Sequence, residues 1–348
     1  MSLVSLPRVA LCTVALLGCP AARATEGDAL KGESKAIEDL MVTPLTLDAA
    51  GLVPCLAWAD DKGSAFYALD GNGVLRLISF PEFKVVKQKD YERKAAWLSV
   101  SAEGLVLSMA DKQEVWLADP KSWEVQKKMD IPSLKRAVSA PTSSLAAASS
   151  GDRFDALYVL DLKAGKSDLF AKPADAKLLG YNGPIMTPDG KYVLTEGMLG
   201  QICRFRVEDG KIVYDDQGGR LGQGAHGAGL QLSPDCKFVC LPTGGGNIGK
   251  NYTTIIFPVA DLKKPECSLE SGPYPKAVGF DLAGGWIYTQ NIDHPLMLFT
   301  QTGVKKKEYK IDDNKENVRQ YLVHPDGNKV LILMDKRLLY VETPKKNG

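Results

Sequence analysis

Short apolar runs alternate with turn sequences along most of the chain, and residues 185–216 show this pattern most clearly. Within them, residues 192–195 (YVLT) and 201–207 (QICRFRV) are β-prone and too short for helices. The turn Thr187-Pro188-Asp189-Gly190 places proline where φ must be near −65° and glycine where a positive φ is often needed. This stretch therefore predicts four antiparallel strands joined by tight turns.

The same unit recurs along the chain. Turns of the form TPDGKYVLT, SPDCKFVCL and HPDGNKVLIL begin at Thr187, Ser233 and His324, and three degraded copies keep their positions. Seven units can be anchored at turns 40 to 48 residues apart, near Gly63, Gly104, Ser144, Gly190, Cys236, Gly284 and Gly327. A period of roughly 40 to 50 residues is typical of β-propeller blades, because one such sheet cannot bury both of its faces alone.

The seventh unit supplies only three strands, at residues 320–324, 329–334 and 338–342. A strand at residues 41–48 (MVTPLTLD) has no partner near it in the sequence and would complete that unit as its outer strand. The pattern predicts an all-β fold, a seven-bladed β-propeller of four-stranded antiparallel blades whose ring is closed by the N-terminal strand. Residues 41–348 would form this single domain, after a signal peptide at residues 1–24 and a charged lead-in without strand pattern at residues 25–40.

These repeats carry a resemblance to a known family. The S-P-D-G-K turns and the later hairpins, such as CRFRVEDGKIVY, resemble the YVTN and WD-like bacterial β-propeller repeats from about residue 41 to residue 343. The family so resembled includes sugar lactonases, quinone-dependent amine dehydrogenases, periplasmic scaffold subunits and surface-layer proteins. The motifs are specific for the blade, and no catalytic motif of these relatives can be carried onto this sequence.

The first residues have the features of an export signal. Arg8 precedes an apolar run over residues 9–18, and Ala22-Arg23-Ala24 is a small-x-small cleavage site. About ten apolar residues are too few to span a bilayer, and we expect no transmembrane segment elsewhere. Leu16-Leu17-Gly18-Cys19 also resembles a bacterial lipobox, so lipidation at Cys19 is an alternative to cleavage after Ala24. The prediction is a periplasmic or secreted protein, or a lipoprotein of the cell envelope.

The charge of the chain argues against a polyanionic partner of broad specificity. The formal charge is +1, and it becomes about −1 when Arg8 and Arg23 of the leader are removed. Nucleic-acid binding and adhesion to anionic membranes usually need a clear basic excess. We therefore predict no nucleic-acid partner.

An odd number of cysteines remains after the leader: Cys55, Cys203, Cys236, Cys240 and Cys267. Cys236 and Cys240 are four residues apart on an extended strand and cannot pair with each other. Two alternatives stay open for the others. Cys236 and Cys267 could meet at one edge of a blade, or most of these cysteines could be buried small hydrophobes.

In a propeller, the innermost strand of each blade lines the central channel, and the segment before it lies on the face where ligands usually bind, here called the funnel. Five of the seven units carry a cation or a histidine in that segment. A ring of this kind would attract an anion or an acidic peptide, and the alternative is that these loop side chains point into solvent. The predicted funnel residues are Arg93, Lys94, Lys135, Arg136, Tyr181, Asn182, His226, Lys276 and Arg319.

Three histidines are too scattered to predict a metal site. His226 lies among glycines in GQGAHGAGL and is either an acid, base or ligand-binding group or a structural turn residue. His294 and His324 are predicted to be structural. Residues 244–251 (GGGNIGKN) resemble a phosphate-binding loop, but a strand follows where that motif requires a helix. We predict a contact loop there instead, and no cofactor.

The leading functional hypothesis is an exported, monomeric, non-catalytic binding or scaffold protein that uses its funnel for a protein or an anionic small molecule. The first alternative is a propeller enzyme of the lactonase or quinoprotein dehydrogenase kind, with His226 and the funnel arginines as its polar groups. The second is a subunit of a cell-envelope assembly that is bound at its edge. No catalytic signature in the sequence favours the enzyme.

Overall fold

The structure is a computed structural model, and all of its regular elements are β-strands, as the all-β prediction requires. None of the described ranges contains a helix long and apolar enough to span a bilayer. The residues that the structure describes are 35–37, 40–45, 55–152, 154–171, 181–197, 200–219, 229–233, 235–242, 253–270, 275–280, 286–291, 296–309, 318–326, 329–334 and 337–342.

The strands form antiparallel sheets that follow one another along the chain. The first two described strands are β1 (Lys35–Ile37) and β2 (Leu40–Leu45), and they belong to the last sheet. Three four-stranded sheets follow, with strands β3 (Leu56–Trp58), β4 (Ala65–Leu69), β5 (Val74–Ser79) and β6 (Val85–Asp90); β7 (Ala95–Ser101), β8 (Gly104–Met109), β9 (Glu114–Ala118) and β10 (Val125–Asp130); and β11 (Leu134–Ser139), β12 (Leu145–Ser150), β13 (Ala156–Asp161) and β14 (Lys166–Leu169).

The second half of the chain repeats this arrangement three times and ends with the last three strands. The four-stranded sheets are β15 (Asn182–Met186), β16 (Tyr192–Glu196), β17 (Gln201–Glu208) and β18 (Lys211–Gly219); β19 (Gln231–Leu232), β20 (Phe238–Pro242), β21 (Thr253–Pro258) and β22 (Cys267–Glu270); and β23 (Pro275–Phe280), β24 (Trp286–Asn291), β25 (Leu296–Thr300) and β26 (Lys305–Tyr309). The last strands are β27 (Val318–Val323), β28 (Lys329–Met334) and β29 (Leu338–Glu342).

The last sheet joins the two ends of the chain. Its five strands have the order β1-β2-β29-β28-β27, and β2 pairs antiparallel with β29 from Met41 opposite Glu342 to Leu45 opposite Leu338. The sequence assigns residues 35–37 to a lead-in without strand pattern. In the structure they form β1, which folds back on β2 as a hairpin. Six sheets therefore have the four strands that we predicted, and this one has five because of β1.

Apolar side chains are buried between neighbouring sheets. Leu75 of β5 lies in a cluster shared with β8 and β9. The five-stranded sheet packs against the β23–β26 sheet through Ile332 and Leu298, and against the β3–β6 sheet through Leu331 and Phe66. Clusters of this kind lie between each pair of successive sheets and between the last sheet and the first four-stranded sheet.

The predicted Pro-Asp turns are confirmed where the structure describes them. Thr187 Oγ1 donates a hydrogen bond to Asp189 Oδ1 at 2.6 Å and accepts one from the backbone N–H of Tyr192 at 3.0 Å. Ser233 makes the same two bonds in the next sheet, to Asp235 at 2.7 Å and from Phe238 at 2.9 Å. A hydroxyl before Pro-Asp therefore ties the turn to the strand that follows it.

No disulfide forms among the five cysteines of the described residues. Cys267 donates to the carbonyl of Gln301 in the sheet on one side, at 3.0 Å. Burial raises the pKa of Cys236, and the carboxylate of Asp189 in the sheet on the other side raises it further. Both thiols are free, so the disulfide alternative predicted for Cys236 and Cys267 is not what the structure shows. Cys55, Cys203 and Cys240 are buried, as the second alternative states.

Candidate functional site

First strands of neighbouring sheets contact each other, as β7 contacts β3 and β11, and β27 contacts β23 and β3. These first strands are called inner strands below. Near the start of an inner strand, the register with the next strand often shifts, so that at least one residue of the inner strand has no partner. The shifts lie between Ala95 and Trp97, Leu134 and Arg136, Asn182 and Ile185, Pro275 and Ala277, and Val318 and Gln320. Such β-bulges redirect side chains and are frequent next to binding sites.

Three predicted funnel cations are the skipped residues themselves. Lys135, Lys276 and Arg319 are the bulge positions of β11, β23 and β27. The sequence placed these residues at the funnel but gave no sign of a bulge, because a register shift depends on the partner strand. A bulge also redirects the side chain of the residue that follows it, and this is clearest at Arg136.

The guanidinium of Arg136 is stacked on the indole of Trp97. Its Cζ lies 3.4 Å from the centroid of the ring. Trp97 follows the bulge of β7 just as Arg136 follows that of β11, so the two side chains come from equivalent positions in neighbouring sheets. A separation of this size is that of stacked planar groups and gives a cation–π contact.

Two glycines lie beside the outer end of the same guanidinium. A β-carbon at Gly183 would lie 3.9 Å from Nη1 of Arg136, and one at Gly229 would lie 3.7 Å from it. Both residues have positive φ, 50° and 72°, which favours glycine over other residues. The absence of side chains at these two positions leaves Nη1 uncovered from that direction.

Arg136 is a partly buried cation for which the described residues supply no anion. Among them, none forms a hydrogen bond or an ion pair with its guanidinium, and its Nε is both inaccessible to solvent and unbonded. Burial lowers the pKa of Arg136 to about 10, opposed only by the Cys55 thiol. Burial also raises the pKa of Cys55 to about 12, so this thiol is neutral near pH 7 and does not balance the charge.

Three of the other predicted funnel cations are exposed. Arg93 and Lys94 lie in the turn before β7, and Arg319 lies on β27. Lys135 is half-buried, and its Nζ lies 3.7 Å from a carboxylate oxygen of the exposed Asp152. Of Lys276 only the backbone position is described, and His226 lies outside the described residues.

Tyr181 and Asn182 are not equivalent in the structure. Tyr181 is only 4% exposed, and its ring packs on Phe170 and Phe205 in the cluster between two sheets. It therefore belongs to the core, whereas the sequence analysis placed it at the funnel surface. Asn182 is half-buried and begins β15, where its register partner is Glu196.

Side-chain bonds between inner strands hold the centre together, and the sequence did not predict them. The amide of Gln320 accepts from the N–H of Leu56 and donates to its carbonyl, both at 2.8 Å. The Cys55 thiol makes the same pair of bonds to Leu98, accepting at 2.6 Å and donating at 3.1 Å. These bonds join β27 to β3 and β3 to β7.

Glu196 is a buried ionisable group, only 1% exposed. Its Oε2 has no hydrogen bond among the described residues. Burial raises its pKa from 4.5 to about 8. Within the described ranges, no group of three or more His, Cys, Asp or Glu side chains is arranged to hold a metal ion, so Glu196 is not part of such a cluster.

Comparison with solved structures assigns the fold. The β-propeller domain of Cps50 (Swd1) from Myceliophteria thermophila matches 86% of this chain and 98% of its own, with a TM-score of 0.69 and 14% sequence identity. The chain folds as a β-propeller of four-stranded antiparallel blades. An identity this low shows the fold alone. No protein-family model matches the chain, and no curated protein is similar to it in sequence, so the bacterial YVTN repeat remains a prediction.

Proposed function

We propose that the protein is an exported, non-catalytic binding or scaffold protein that uses the funnel of a seven-bladed propeller. In this proposal the five-stranded sheet is the seventh blade, and β2 closes the ring. Three observations support closure: β2 pairs with β29, Gln320 of β27 bonds to Leu56 of β3, and Leu331 and Phe66 share a core cluster. A closed ring leaves no blade face exposed.

We further propose that the funnel binds an anionic group at Arg136. The observation that carries this proposal is a guanidinium whose Nε is inaccessible to solvent and unbonded and which has no anionic partner among the described residues. A buried charge is costly unless it is paired and hydrogen-bonded, and stacking on Trp97 offsets only part of this cost. The exposed cations Arg93, Lys94 and Arg319 would guide an anion to the centre from a distance.

The export part of the proposal rests on residues 1–24 alone. Arg8, the apolar run over residues 9–18 and Ala22-Arg23-Ala24 are the features that support it. The test is the mass of the mature protein from its native host. Cleavage after Ala24 gives an N-terminus at Thr25, and lipidation gives a diacylated or triacylated Cys19. An unprocessed Met1 would overturn export.

Thermal stability measured with a panel of anions tests the binding proposal. A ligand that binds only the folded protein raises the midpoint of unfolding in a saturable way. We expect such a rise at low salt in the native protein and its loss in Arg136→Met. The matched control is Lys166→Met, which removes an exposed cation from the outer strand of the same blade and should keep the response. An equal response in both variants would overturn the proposal. The enzyme alternative stays a prediction, since His226 lies outside the described residues.

A further inference from the structure

We propose that the group bound at Arg136 is a carboxylate, which sits end-on against the two Nη atoms of the guanidinium over the edge of Trp97. This inference deepens the proposed function and rests on it. It assigns the class of ligand, and it follows from the charge and the shape of the surroundings of Arg136.

Charge favours an anion with a single negative charge. Among the predicted funnel cations whose side chains are described, Arg136 is the one with an inaccessible and unbonded nitrogen, while Lys135 lies beside Asp152 and Arg319 is exposed. One guanidinium balances one carboxylate. A phosphate or sulfate dianion would bring a second negative charge to the same partly buried position, where an unpaired charge is costly.

Shape favours a planar group. The guanidinium Cζ lies 3.4 Å from the centroid of the Trp97 ring, and at that separation a parallel stack keeps the guanidinium nitrogens from overlapping the ring. In such a stack the N–H groups point outward in a plane parallel to the indole. A carboxylate accepts two parallel N–H bonds in that plane. A tetrahedral anion would place one or more oxygens out of the plane, toward the ring or toward the backbone at Gly183 and Gly229, which approach each other closely.

The two glycines define where the carboxylate enters. A β-carbon at either Gly183 or Gly229 would make van der Waals contact with Nη1, so any larger residue there would cover the nitrogen. Since neither Nη atom has a hydrogen-bond partner among the described residues, this uncovered end of Arg136 is free to donate to the ligand.

A carboxylate can come from a small organic acid or from an acidic side chain of a protein that enters the funnel. The experiment separates these sources with four probes: sodium acetate, inorganic phosphate, an N-acetylated peptide amide with one glutamate, and the same peptide with glutamine. Binding of each probe to the full mature chain is measured by titration calorimetry and thermal shift at constant ionic strength.

We expect acetate and the glutamate peptide to bind, and phosphate and the glutamine peptide to fail. Tighter binding of the glutamate peptide than of acetate would identify a protein segment as the source, and equal affinity would identify a small acid. Binding of phosphate but not of the carboxylates, with loss in Arg136→Met, would overturn the carboxylate and leave the anion site standing. No response to any probe would overturn the anion site itself.

Variants of Arg136 separate a binding role from a structural one. Arg136→Met keeps a flexible apolar stem against Trp97 and removes the unpaired charge, so we expect the ligand-free variant to unfold at a higher temperature than the native protein. Arg136→Lys keeps the charge but loses the two parallel donors, and we expect about 10- to 100-fold weaker binding of acetate. Destabilisation by Arg136→Met together with an unchanged response to acetate would overturn the proposal.

Discussion

The imidazole of His324 is stacked on the phenyl ring of Phe80, with centroids 4.8 Å apart and planes inclined by 28°. The contact joins the turn between β27 and β28 to the turn between β5 and β6, where the C-terminal and the first four-stranded sheets meet. The ring of Trp58 also packs against His324, with the two ring centroids 5.1 Å apart, and its Nε1 donates a hydrogen bond to the carbonyl of Val323 at 2.7 Å. The sequence predicts His324 as structural, and this packing agrees with that prediction.

Ser233 holds the position in its turn that His324 holds here. Replacing His324 by serine should weaken the contact between the C-terminal and the first four-stranded sheets. The variant His324→Ser supplies the hydroxyl that the turn at Ser233 uses but loses the ring contacts with Phe80 and Trp58, and we expect a loss of roughly 1–3 kcal/mol in the free energy of unfolding. Urea denaturation measures this change, and Ser233→Ala is the control for loss of a turn bond alone.

Gly63 lies close to the imidazole of His324, and this contact gives an independent test of where the imidazole lies. A β-carbon at Gly63 would lie 2.5 Å from the imidazole Nε2 and 2.8 Å from Cδ of Pro325, at a φ of 69°. Gly63→Ala should therefore be less harmful when His324 is already serine, with the clash against Pro325 and the backbone strain remaining. A double-mutant cycle measures this coupling. Strictly additive free energies would show that the ring does not occupy this place.

Glu196 should make the stability of the protein depend on pH. Burial raises its folded-state pKa from 4.5 to about 8, so the folded protein holds this proton more tightly than the unfolded chain does. Stability is then fully present below about pH 4.5 and is lost as the pH rises through about 8. We expect Glu196→Gln to flatten the dependence over that window and to raise stability at pH 9.

The control for Glu196 is Glu82→Gln, because Glu82 is exposed in the turn between β5 and β6. Chemical denaturation at a series of pH values between 4 and 9 gives both profiles. If the profiles of Glu196→Gln and the native protein run parallel, the carboxyl is not buried as the structure shows.

The five cysteines should react slowly and in a definite order. The thiolate is the reactive form, and burial raises the pKa of Cys55 to about 12 and those of Cys236 and Cys267 to about 11. Since Cys236 and Cys267 are only half-buried, we expect iodoacetamide at pH 8 to modify them first. Peptide mass spectrometry over time measures the order. Recovery of a peptide linked by a Cys236–Cys267 disulfide would contradict the structure.

The local features of the fold were predictable from the sequence, and the relations between blades were not. The turns at Thr187 and Ser233 are determined by residues within five positions, so their pattern is visible in the chain. The stack of Arg136 on Trp97 depends on two bulges in two different blades. Neither residue type signals a bulge, and therefore the sequence predicted Arg136 at the funnel but did not predict its stacking on Trp97.

For Tyr181 the sequence suggested a position at the funnel, and the structure places the residue in the core. Its place just before an inner strand suggested a ligand contact, but the aromatic neighbours Phe170 and Phe205 bury it. An amphipathic ring fits a core as well as a surface, so its position in the sequence could not decide between them. Residues 35–37 likewise form a strand because β2 offers an edge, and their own sequence has no β pattern.

Truncation of the N-terminus tests the closure of the ring. A chain that starts at residue 39 lacks β1 but keeps β2, and we expect it to fold with nearly the stability of the mature protein. A chain that starts at residue 47 also lacks β2, which exposes the edge of β29 and uncovers Leu338. An unpaired edge beside exposed apolar surface favours aggregation, so we expect this second chain to be insoluble or to unfold without a cooperative transition. Supplying residues 35–46 as a separate peptide should restore part of the stability, because it replaces the missing strand. Equal stability of the two truncated chains would show that β2 does not close the propeller.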